Sequence, residues 1–348
     1  MRRAAQPEAP DDRVLSVYVD FRPEAHGERP YARADLVVIR DRLDDVIDGL
    51  HAHDPARRSL EADRERLRAF LDDLPRSVEG VAVVACDSAG LWVDAILAAP
   101  FQTDLAAGRI ADLYQLAVAA DAETPAVVAL VDSTSCRLFT RRHGMLVERG
   151  GPDDDPQEHR RHDQGGWSQA RYQRHIDEQD RRYAGRVAEW ITGLADGQRA
   201  QTVVIAADER MSPVLMAELP DRVRGLLVDV RHISMHATRD EVEAEVSPLI
   251  DALAWERAAA TADRALAGHD AGQLGAAGVE PVRTMLAAGA VSTLVIDQAS
   301  GGRLDRWDRA ALVRSAVSTD ATITFPRDHQ QLLAAGGVGA ILRFRPPA

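Results

Sequence analysis

The sequence predicts an α/β (α+β) protein of three domains: an N-terminal α/β domain, a middle domain with a mixed sheet, and a small C-terminal α/β domain. At 348 residues, the chain exceeds the length at which one hydrophobic core usually stops growing. Apolar runs of strand length alternate with amphipathic helical stretches throughout the chain. An acidic break and a charged helix separate three such groups, and we expect the domains to comprise residues 1–122, 123–238 and 239–348.

The N-terminal segment combines strands with two amphipathic helices. Residues 14–21 alternate as in a half-buried strand, and apolar residues recur at helical spacing in 36–50 and 60–74. Two further apolar runs meet at residues 87–90, which predicts a β-hairpin. A helix is expected around residues 110–119, before the acidic break.

The middle segment begins with three short strands in residues 125–149, which predict a meander. Residues 150–166 are rich in Gly, Pro and Asp and predict a long exposed loop. A helix is expected from 167 to about 194. The apolar runs in 202–208 and 225–230 then predict buried strands of a mixed sheet, with a helix between them.

The C-terminal segment opens with a charged helix from about residue 239 to 267, bent or restarted near Pro248. Residues 278–297 follow as helix, glycine stop and buried strand, and 320–345 repeat a strand, helix, strand order. These patterns predict a small α/β domain.

Composition excludes several classes of protein. A formal charge of −13 argues against nonspecific coating of nucleic acid, although all 42 basic residues are arginine, which binds phosphates and stacks on bases. No apolar run is long enough to span a membrane, and the first residues lack a signal-peptide pattern, so we expect a cytoplasmic protein. Cys86 and Cys136 lie in strand-like runs and predict two buried thiols.

The segment QGGWSQARYQRH, residues 164–175, carries the strongest functional signal. Paired glycines permit positive φ and close approach to another chain, and a following helix N-terminus offers free N–H donors. Release factors of the archaeo-eukaryotic class contain a Gly-Gly-Gln-Ser loop, followed by two variable residues, Arg and an aromatic. The residues matching this frame are Gly165, Gly166, Ser168, Arg171 and Tyr172.

A second, independent match lies at residues 275–296, GAAGVEPVRTMLAAGAVSTLVI. It resembles the C-terminal domain of those factors and of Pelota, in which a Gly, a short helix and Gly-Ala-Val precede an apolar strand. On these motifs, the chain resembles the bacterial release-factor-like proteins of that superfamily, including the Balon-like branch. The resemblance covers about residues 125–345 and implies a release-factor middle domain and a ribosomal L7Ae/Pelota-like C-terminal domain.

The resemblance implies a ribosome-binding translation factor that occupies the A site and peptidyl-transferase centre, in hibernation or stress. Its implied partners are the 70S ribosome, 23S rRNA and a translational GTPase, which in a bacterium could be elongation factor Tu. Neither a cofactor nor a membrane is implied. The eukaryotic factors read stop codons with a lysine-containing loop, and a chain without lysine cannot contain that loop.

Trp167 stands where the family has its catalytic glutamine. An indole has one N–H donor and no acceptor, so it cannot orient water at the tRNA ester, and we expect hydrolysis to be disabled. Trp167 could instead stack on an exposed base, or be buried against its own domain. In an alternative register Gln169 takes the glutamine's place, as in the Vms1-like tRNA-releasing branch, and the chain is then a peptidyl-tRNA hydrolase or tRNA-cleaving rescue factor.

The residues expected to contact rRNA or tRNA lie in the loop and the first turns of the helix: Gly165, Gly166, Trp167, Ser168, Gln169, Arg171, Tyr172 and Arg174. Further arginines surround the loop, at positions 160, 161, 181, 182 and 186. They predict either an RNA-binding surface or a solvated helix face with i,i+4 ion pairs.

A third candidate function is a metal-dependent nuclease. Aspartates end four strand-like runs, and three of them could in principle bind a divalent cation, although such residues more often cap helices or begin turns: Asp132, Asp208, Asp229 and Asp297. Histidines at 159, 162 and 175 flank the loop without the spacing of a zinc site. We therefore expect no metal site. Nor does a phosphate-binding, nucleophile-elbow or dinucleotide motif occur in a suitable context.

Overall fold

The computed structural model describes residues 1–5, 13–21, 33–75, 78–97, 101–142, 144–152, 169–229, 233–302 and 304–346. They form two compact units. One joins Met1–Ala122 with Ala254–Ala348 and is called the composite unit here; the other, Glu123–Leu253, is the middle unit. Each of the three predicted segments contains one sheet. The division into three domains at residues 122 and 238 stays a prediction.

The N-terminal part of the composite unit is an antiparallel sheet with strand order β3-β2-β1-β4. Its strands are β1 (Val14–Asp20), β2 (Gly80–Cys86), β3 (Leu91–Ile96) and β4 (Asp104–Gly108). Its helices are α1 (Arg2–Ala5), α2 (Arg33–Asp48), α3 (Pro55–Asp72) and α4 (Tyr114–Ala122).

Both predicted amphipathic helices are confirmed, and they cover one face of this sheet. Ile39 of α2 and Leu60 of α3 pack in one core with Leu15 and Val17 of β1. The start of α3 follows from its sequence, because Asp54 accepts a hydrogen bond from the Ala56 N–H at 2.9 Å and Pro55 occupies the first turn. The predicted hairpin between β2 and β3 is also confirmed.

The prediction that the first strand is half-buried is wrong, because all seven residues of β1 are buried. The chain beyond β4 covers the second face and pairs with its polar side chains. Ser16 Oγ accepts a hydrogen bond from the Asp112 N–H at 3.0 Å, and the Tyr18 hydroxyl donates to the Asp112 carbonyl at 2.6 Å. The polar residues of an alternating pattern can therefore be buried when a second layer of the fold provides their hydrogen-bond partners.

The middle unit has a five-stranded mixed sheet of order β7-β6-β5-β8-β9. Its strands are β5 (Ala126–Val131), β6 (Cys136–Arg142), β7 (Met145–Arg149), β8 (Thr202–Ala207) and β9 (Leu227–Asp229). Its helices are α5 (Gln169–Gln198), α6 (Met211–Glu218) and α7 (Asp221–Arg224). The predicted meander and the predicted mixed sheet are both confirmed, since β5, β6 and β7 pair antiparallel while β5, β8 and β9 run parallel.

Helix α8 (Arg239–Asp270) is continuous through Pro248 and is not restarted there. It begins with a capping box, in which Glu241 accepts a hydrogen bond from the Thr238 N–H and Thr238 Oγ1 accepts one from the Glu241 N–H. Val242, Val246 and Ile250 of its first half belong to the core of the middle unit. Neither α8 nor any other helix in the described residues is long and apolar enough to cross a membrane.

The C-terminal part of the composite unit has a second sheet, of order β10-β13-β11-β12. Its strands are β10 (Gly275–Ala277), β11 (Val291–Ile296), β12 (Thr322–Thr324) and β13 (Val338–Leu342); its helices are α9 (Val279–Ala287), α10 (Arg306–Ser318) and α11 (Gln330–Ala334). The predicted order of helix, strand and then strand, helix, strand is confirmed. Gly275 fits closely on α8, where a Cβ would overlap backbone atoms of Ala265 and His269.

The two parts of the composite unit share one apolar core. Arg306 at the start of α10 binds the Asp104 carboxylate of β4, and its neighbour Trp307 lies on Gly108. A Cβ at residue 108 would overlap the indole, so the close approach requires glycine. Asp121 at the end of α4 accepts a hydrogen bond from the Phe325 N–H at 2.8 Å. Neither β4 nor α10 was predicted from the sequence.

We expect Gly108→Ala to destabilise the composite unit by about 1 to 3 kcal/mol, because the added methyl must displace the Trp307 ring from a packed joint. Urea unfolding followed by tryptophan fluorescence measures the change. Gly185→Ala is the matched control, because a Cβ there meets open space. Equal stability of Gly108→Ala and the wild type would show that the joint tolerates the extra volume.

Asp121 gives the composite unit a defined pH dependence. Burial raises the pKa of this carboxyl from its ordinary 3.8 to about 6, although hydrogen bonds from Phe325 and Thr324 oppose the rise. Because the folded pKa is the higher one, the stabilising contribution is full below about pH 4 and is lost as the pH rises through about 6. Relative to Asp121→Asn, the wild type should therefore lose about 2 kcal/mol of unfolding free energy between pH 4 and pH 7. Urea denaturation at several pH values measures this loss, and Asp45→Asn, at an exposed carboxylate, is the control. If the unfolding free energies of the wild type and Asp121→Asn changed with pH in parallel, the prediction would be contradicted.

Candidate functional site

One edge of the middle sheet gathers the chain segments that lead into the candidate site. The parallel strands β5 and β8 end there, at Val131 and Ala207. The antiparallel strand β6 starts there, since Cys136 pairs with Val131, and β7 ends there at Arg149, opposite Leu138. The long loop that follows β7 therefore leaves the sheet at the carboxyl edge of its parallel strands.

Helix α5 follows that loop, and its second half packs on the sheet. Its second half packs into the core through six buried residues: Tyr183, Ala184, Val187, Ala188, Ile191 and Ala195. Asp180 lies level with the carboxyl edge, because it pairs with Arg210, which follows β8. An α-helix rises about 1.5 Å per residue, so Gln169 lies roughly 16 Å along the helix axis from Asp180.

The ion pair between Asp180 and Arg210 fixes the helix at the sheet edge. Arg210 donates to Asp180 Oδ2 from Nε at 2.8 Å and from Nη2 at 2.5 Å, and the Asp180 side chain is only 11% exposed. Asp208 accepts a hydrogen bond from the Met211 N–H at 2.6 Å, which caps α6 beside the pair. These contacts give α5 a fixed position along its axis, which apolar packing alone does not specify.

Sequence reasoning missed this pair, although a signal was present. The apolar stripe of α5 runs through Ile176, Tyr183 and Val187, and Asp180 occupies the position in that stripe between the first two. A carboxylate on a buried helix face needs a partner, because an unpaired buried charge is costly. The residue that supplies the partner, Arg210, follows a different strand.

The predicted contact residues stand as follows. Gly165, Gly166, Trp167 and Ser168 lie outside the described residues, as do His159 and His162. Four more lie in the first two turns of α5, where the backbone alone is described: Gln169, Arg171, Tyr172 and Arg174. The expected helix after the loop is confirmed and runs from Gln169 to Gln198. The role of each contact residue stays a prediction.

The described arginines near the loop are paired. Arg181 donates to Glu218 at 3.0 Å, and Arg182 donates to Glu178 at 3.2 Å in an i,i+4 pair. Residues 176–190 contain Asp177, Glu178, Asp180 and Glu189 against three arginines. This part of α5 is a solvated, ion-paired face, so a positive surface for RNA would depend on the arginines nearer the loop.

Where their side chains are described, the strand-end aspartates accept hydrogen bonds from backbone N–H groups. Burial acts to raise the pKa of Asp132, but four hydrogen bonds from Thr134 and Ser135 outweigh it and hold the pKa below its usual value. Asp208 caps α6, and in the composite unit Asp297 accepts from the Ala299 and His329 N–H groups. The side chain of Asp229 lies outside the description.

A metal-dependent nuclease therefore gains no support from these residues. In the described part of the chain, no three His, Cys, Asp or Glu side chains lie close enough together to hold a metal ion. The hydrogen bonds of Asp132, Asp208 and Asp297 account for these side chains as turn and helix caps.

Comparison with known proteins supports the resemblance of the middle unit to release factors. Residues 112–249, which contain most of that unit, match the family described as Bacterial archaeo-eukaryotic release factor family 10. No curated protein matches the chain.

Solved structures with similarity to the chain include three translation proteins. Archaeal Pelota, from a model of ribosome-bound archaeal Pelota and ABCE1, is 15% identical over 65% of this chain, with a TM-score of 0.46; the chain spans 63% of that Pelota chain. S. cerevisiae Dom34, described as a translation termination-like factor that interacts with Hbs1, is 9% identical over 79% of this chain and 84% of its own, with a TM-score of 0.45. The archaeal termination factor aRF1 is 16% identical over 99% of this chain and 96% of its own, with a TM-score of 0.25.

The TM-scores of these three structures are all below 0.5, so the resemblance to release factors rests on the family match and on the sequence motifs. The family match includes the segment that contains the Gly-Gly motif. Over residues 112–249 the chain is thus similar to the bacterial archaeo-eukaryotic release factor family, as its Gly-Gly motif predicted.

Proposed function

We propose that this protein binds the bacterial ribosome in the A site and inserts its Gly-Gly loop into the peptidyl-transferase centre without hydrolysing peptidyl-tRNA. The observation that carries the proposal is the geometry of α5. A single helix follows the loop directly, its first residue lies roughly 16 Å along the axis from Asp180, and the Asp180–Arg210 pair fixes the helix beside the end of β8. Such a support can deliver a narrow loop into a crowded RNA site while the rest of the unit stays outside it.

Occupancy without reaction follows from Trp167. The family's glutamine would orient water and support the transition state, and an indole offers neither the second donor nor the acceptor for this task. A bound but unreactive factor keeps the A site closed, which fits a role in ribosome hibernation or stress. The protein would then act in the cytoplasm, on 70S ribosomes and 23S rRNA, without a stop-codon requirement.

The family resemblance adds a delivery partner to this proposal. A translational GTPase would bring the factor to the ribosome, and in a bacterium elongation factor Tu is the candidate. Co-sedimentation of the factor with elongation factor Tu in the presence of a nonhydrolysable GTP analogue tests this part separately.

The alternative is a rescue enzyme that uses Gln169. This residue is the first of α5, immediately after the loop, so its position in the chain is compatible with the shifted register. The alternative differs from the main proposal in requiring release of peptide or shortened tRNA from stalled complexes.

We expect the wild-type protein to sediment with empty 70S ribosomes, and the double variant Arg171→Ala, Arg174→Ala to bind at least about tenfold more weakly and with a smaller salt dependence. Arg182→Ala is the matched control, because Arg182 lies on the same helix but is already paired with Glu178. It should change the affinity by less than twofold. Wild-type protein that stays at the top of the gradient at low salt would exclude ribosome binding.

The second prediction separates occupancy from catalysis. At saturating concentration, the wild-type protein should release no labelled peptide from stalled ribosome complexes. Trp167→Gln should gain little activity, because hydrolysis also needs a loop backbone held within about 0.5 Å of its productive geometry. Robust release by the wild type, abolished by Gln169→Ala, would establish the rescue enzyme in place of the proposal.

A further inference from the structure

The outer strand of the middle sheet, β7, has one face that helix α5 leaves uncovered. The apolar core beneath α5 is built on β5, β6 and β8 and, among the described residues, includes none from β7. Leu146 of β7 packs on the opposite face, in the core with α8, and its N–H donates to Glu243. Because side chains alternate along a strand, Met145, Val147 and Arg149 lie on the α5 side of the sheet. Met145 and Val147 are 39% and 40% exposed there.

Two arginines without an ionic partner border these apolar side chains. Arg142 lies opposite Met145 in the ladder of β6 and β7, and Arg149 lies four residues further along β7, about 13 Å away. Both arginines are exposed, and neither pairs with a carboxylate in the part of the chain that the structure describes. Arg149 donates from Nε to the Thr140 hydroxyl at 2.9 Å, and this neutral partner leaves the positive charge uncompensated.

A tryptophan on α5 is directed toward the same side. Arg181 of α5 pairs with Glu218 of α6, and Trp190 follows Arg181 by nine residues, which places the two on opposite flanks of the helix. Helices α6 and α7 lie in the chain between β8 and β9, so the flank with Trp190 is the one toward β6 and β7. Trp190 is 43% exposed. Gly193 and Gly197, one and two turns further, leave the space beside the indole open, because a Cβ at either would meet no neighbouring atom.

The charge of this region contrasts with that of the whole protein, whose net charge is −13. Five side chains define what we call the β7 surface, and none is acidic: Arg142, Met145, Val147, Arg149 and Trp190. The residues at helical spacing from Trp190 are not acidic either: Tyr183, Arg186, Gly193, Leu194 and Gly197. The β7 surface is therefore a local positive and apolar site on an acidic protein, and such a site attracts anionic partners.

We propose that the β7 surface binds an unpaired segment of RNA, with phosphates at Arg142 and Arg149 and a base stacked on Trp190. Guanidinium groups bind phosphate through paired N–H donors, and an exposed indole stacks on a base of any sequence. An acidic protein segment would also meet the two arginines, but the open space beside the indole favours a planar base. The source of the RNA rests on the proposed ribosomal role, since the chain leaves β7 after Arg149 to form the Gly-Gly loop.

Binding of labelled oligouridine to the isolated full-length protein, measured by fluorescence anisotropy at low salt, tests this surface without ribosomes. The wild type should bind the strand. Arg149→Glu should weaken binding by about tenfold or more, because a phosphate contact becomes a like charge. Arg264→Glu is the matched control, because Arg264 is an exposed arginine on α8 whose guanidinium likewise donates to a threonine hydroxyl. It should change the affinity by less than twofold. No binding by the wild type, or equal effects of the two variants, would overturn the proposal.

The base contact has its own comparison. Trp190→Ala should weaken oligouridine binding by about tenfold, whereas Trp190→Phe should weaken it by less than about threefold, because a phenyl ring still stacks. Equal losses in these two variants would overturn the stacking role of Trp190. Poly-L-glutamate that displaces the labelled strand as well as unlabelled oligouridine does would overturn the RNA assignment in favour of an acidic protein partner.

Sedimentation with 70S ribosomes separates this proposal from the proposed function. Arg149→Glu should lower the affinity of the protein for ribosomes by about tenfold, as it does for the strand. Wild-type sedimentation that Arg149→Glu leaves unchanged would overturn the β7 surface as a ribosomal contact and would leave the proposed function standing. A wild type that binds oligouridine through Arg149 but does not sediment with ribosomes would overturn the proposed function and support the RNA-binding surface.

Discussion

The partly buried ion pair between Asp180 and Arg210 is the contact that sets the position of helix α5, which follows the candidate loop. The second half of α5 packs on its sheet through apolar residues such as Tyr183, Val187 and Ile191, and apolar contacts specify a face more strongly than a position along the axis. More exposed ion pairs also join α5 to its unit, between Arg181 and Glu218 and between Asp196 and Arg222. The two hydrogen bonds from Arg210 supply that position. Gln169, the first residue of α5, lies roughly 16 Å along the helix axis from this pair, so the pair also sets the position at which the candidate motif joins the helix.

A comparable constraint shapes the composite unit. Trp307 can reach β4 only because residue 108 is glycine, and this contact joins the first and last parts of the chain, whose two sheets share one core. In the described residues, arginines such as Arg181, Arg182 and Arg306 lie against carboxylates.

The sequence by itself determined most of the regular elements and the family that the middle part of the chain resembles. Helical spacing of apolar residues predicted α2, α3 and α5, and continuous apolar runs predicted the strands of the mixed sheet. A charged helical pattern predicted α8 with a bend or restart near Pro248, whereas the helix is continuous through that residue. The frame around Gly165, Gly166 and Tyr172 carried the family resemblance that the match to residues 112–249 supports. These features are local: a period of apolar residues or a short motif can be recognised without knowing its neighbours in space.

Only the tertiary structure decided which faces are covered and which charges meet. Strand β1 alternates like a half-buried strand but is buried on both faces, because Asp112 provides partners for Ser16 and Tyr18. Strand β4, DLAAG, has no β-branched residue to mark it and is stabilised by its pairing with β1. The carboxylate of Asp180 in an apolar stripe indicates a buried partner but does not identify Arg210. The physical reason is the same in each case: periodicity records that a face is apolar, whereas the residue that covers it is set by packing between segments distant in the chain.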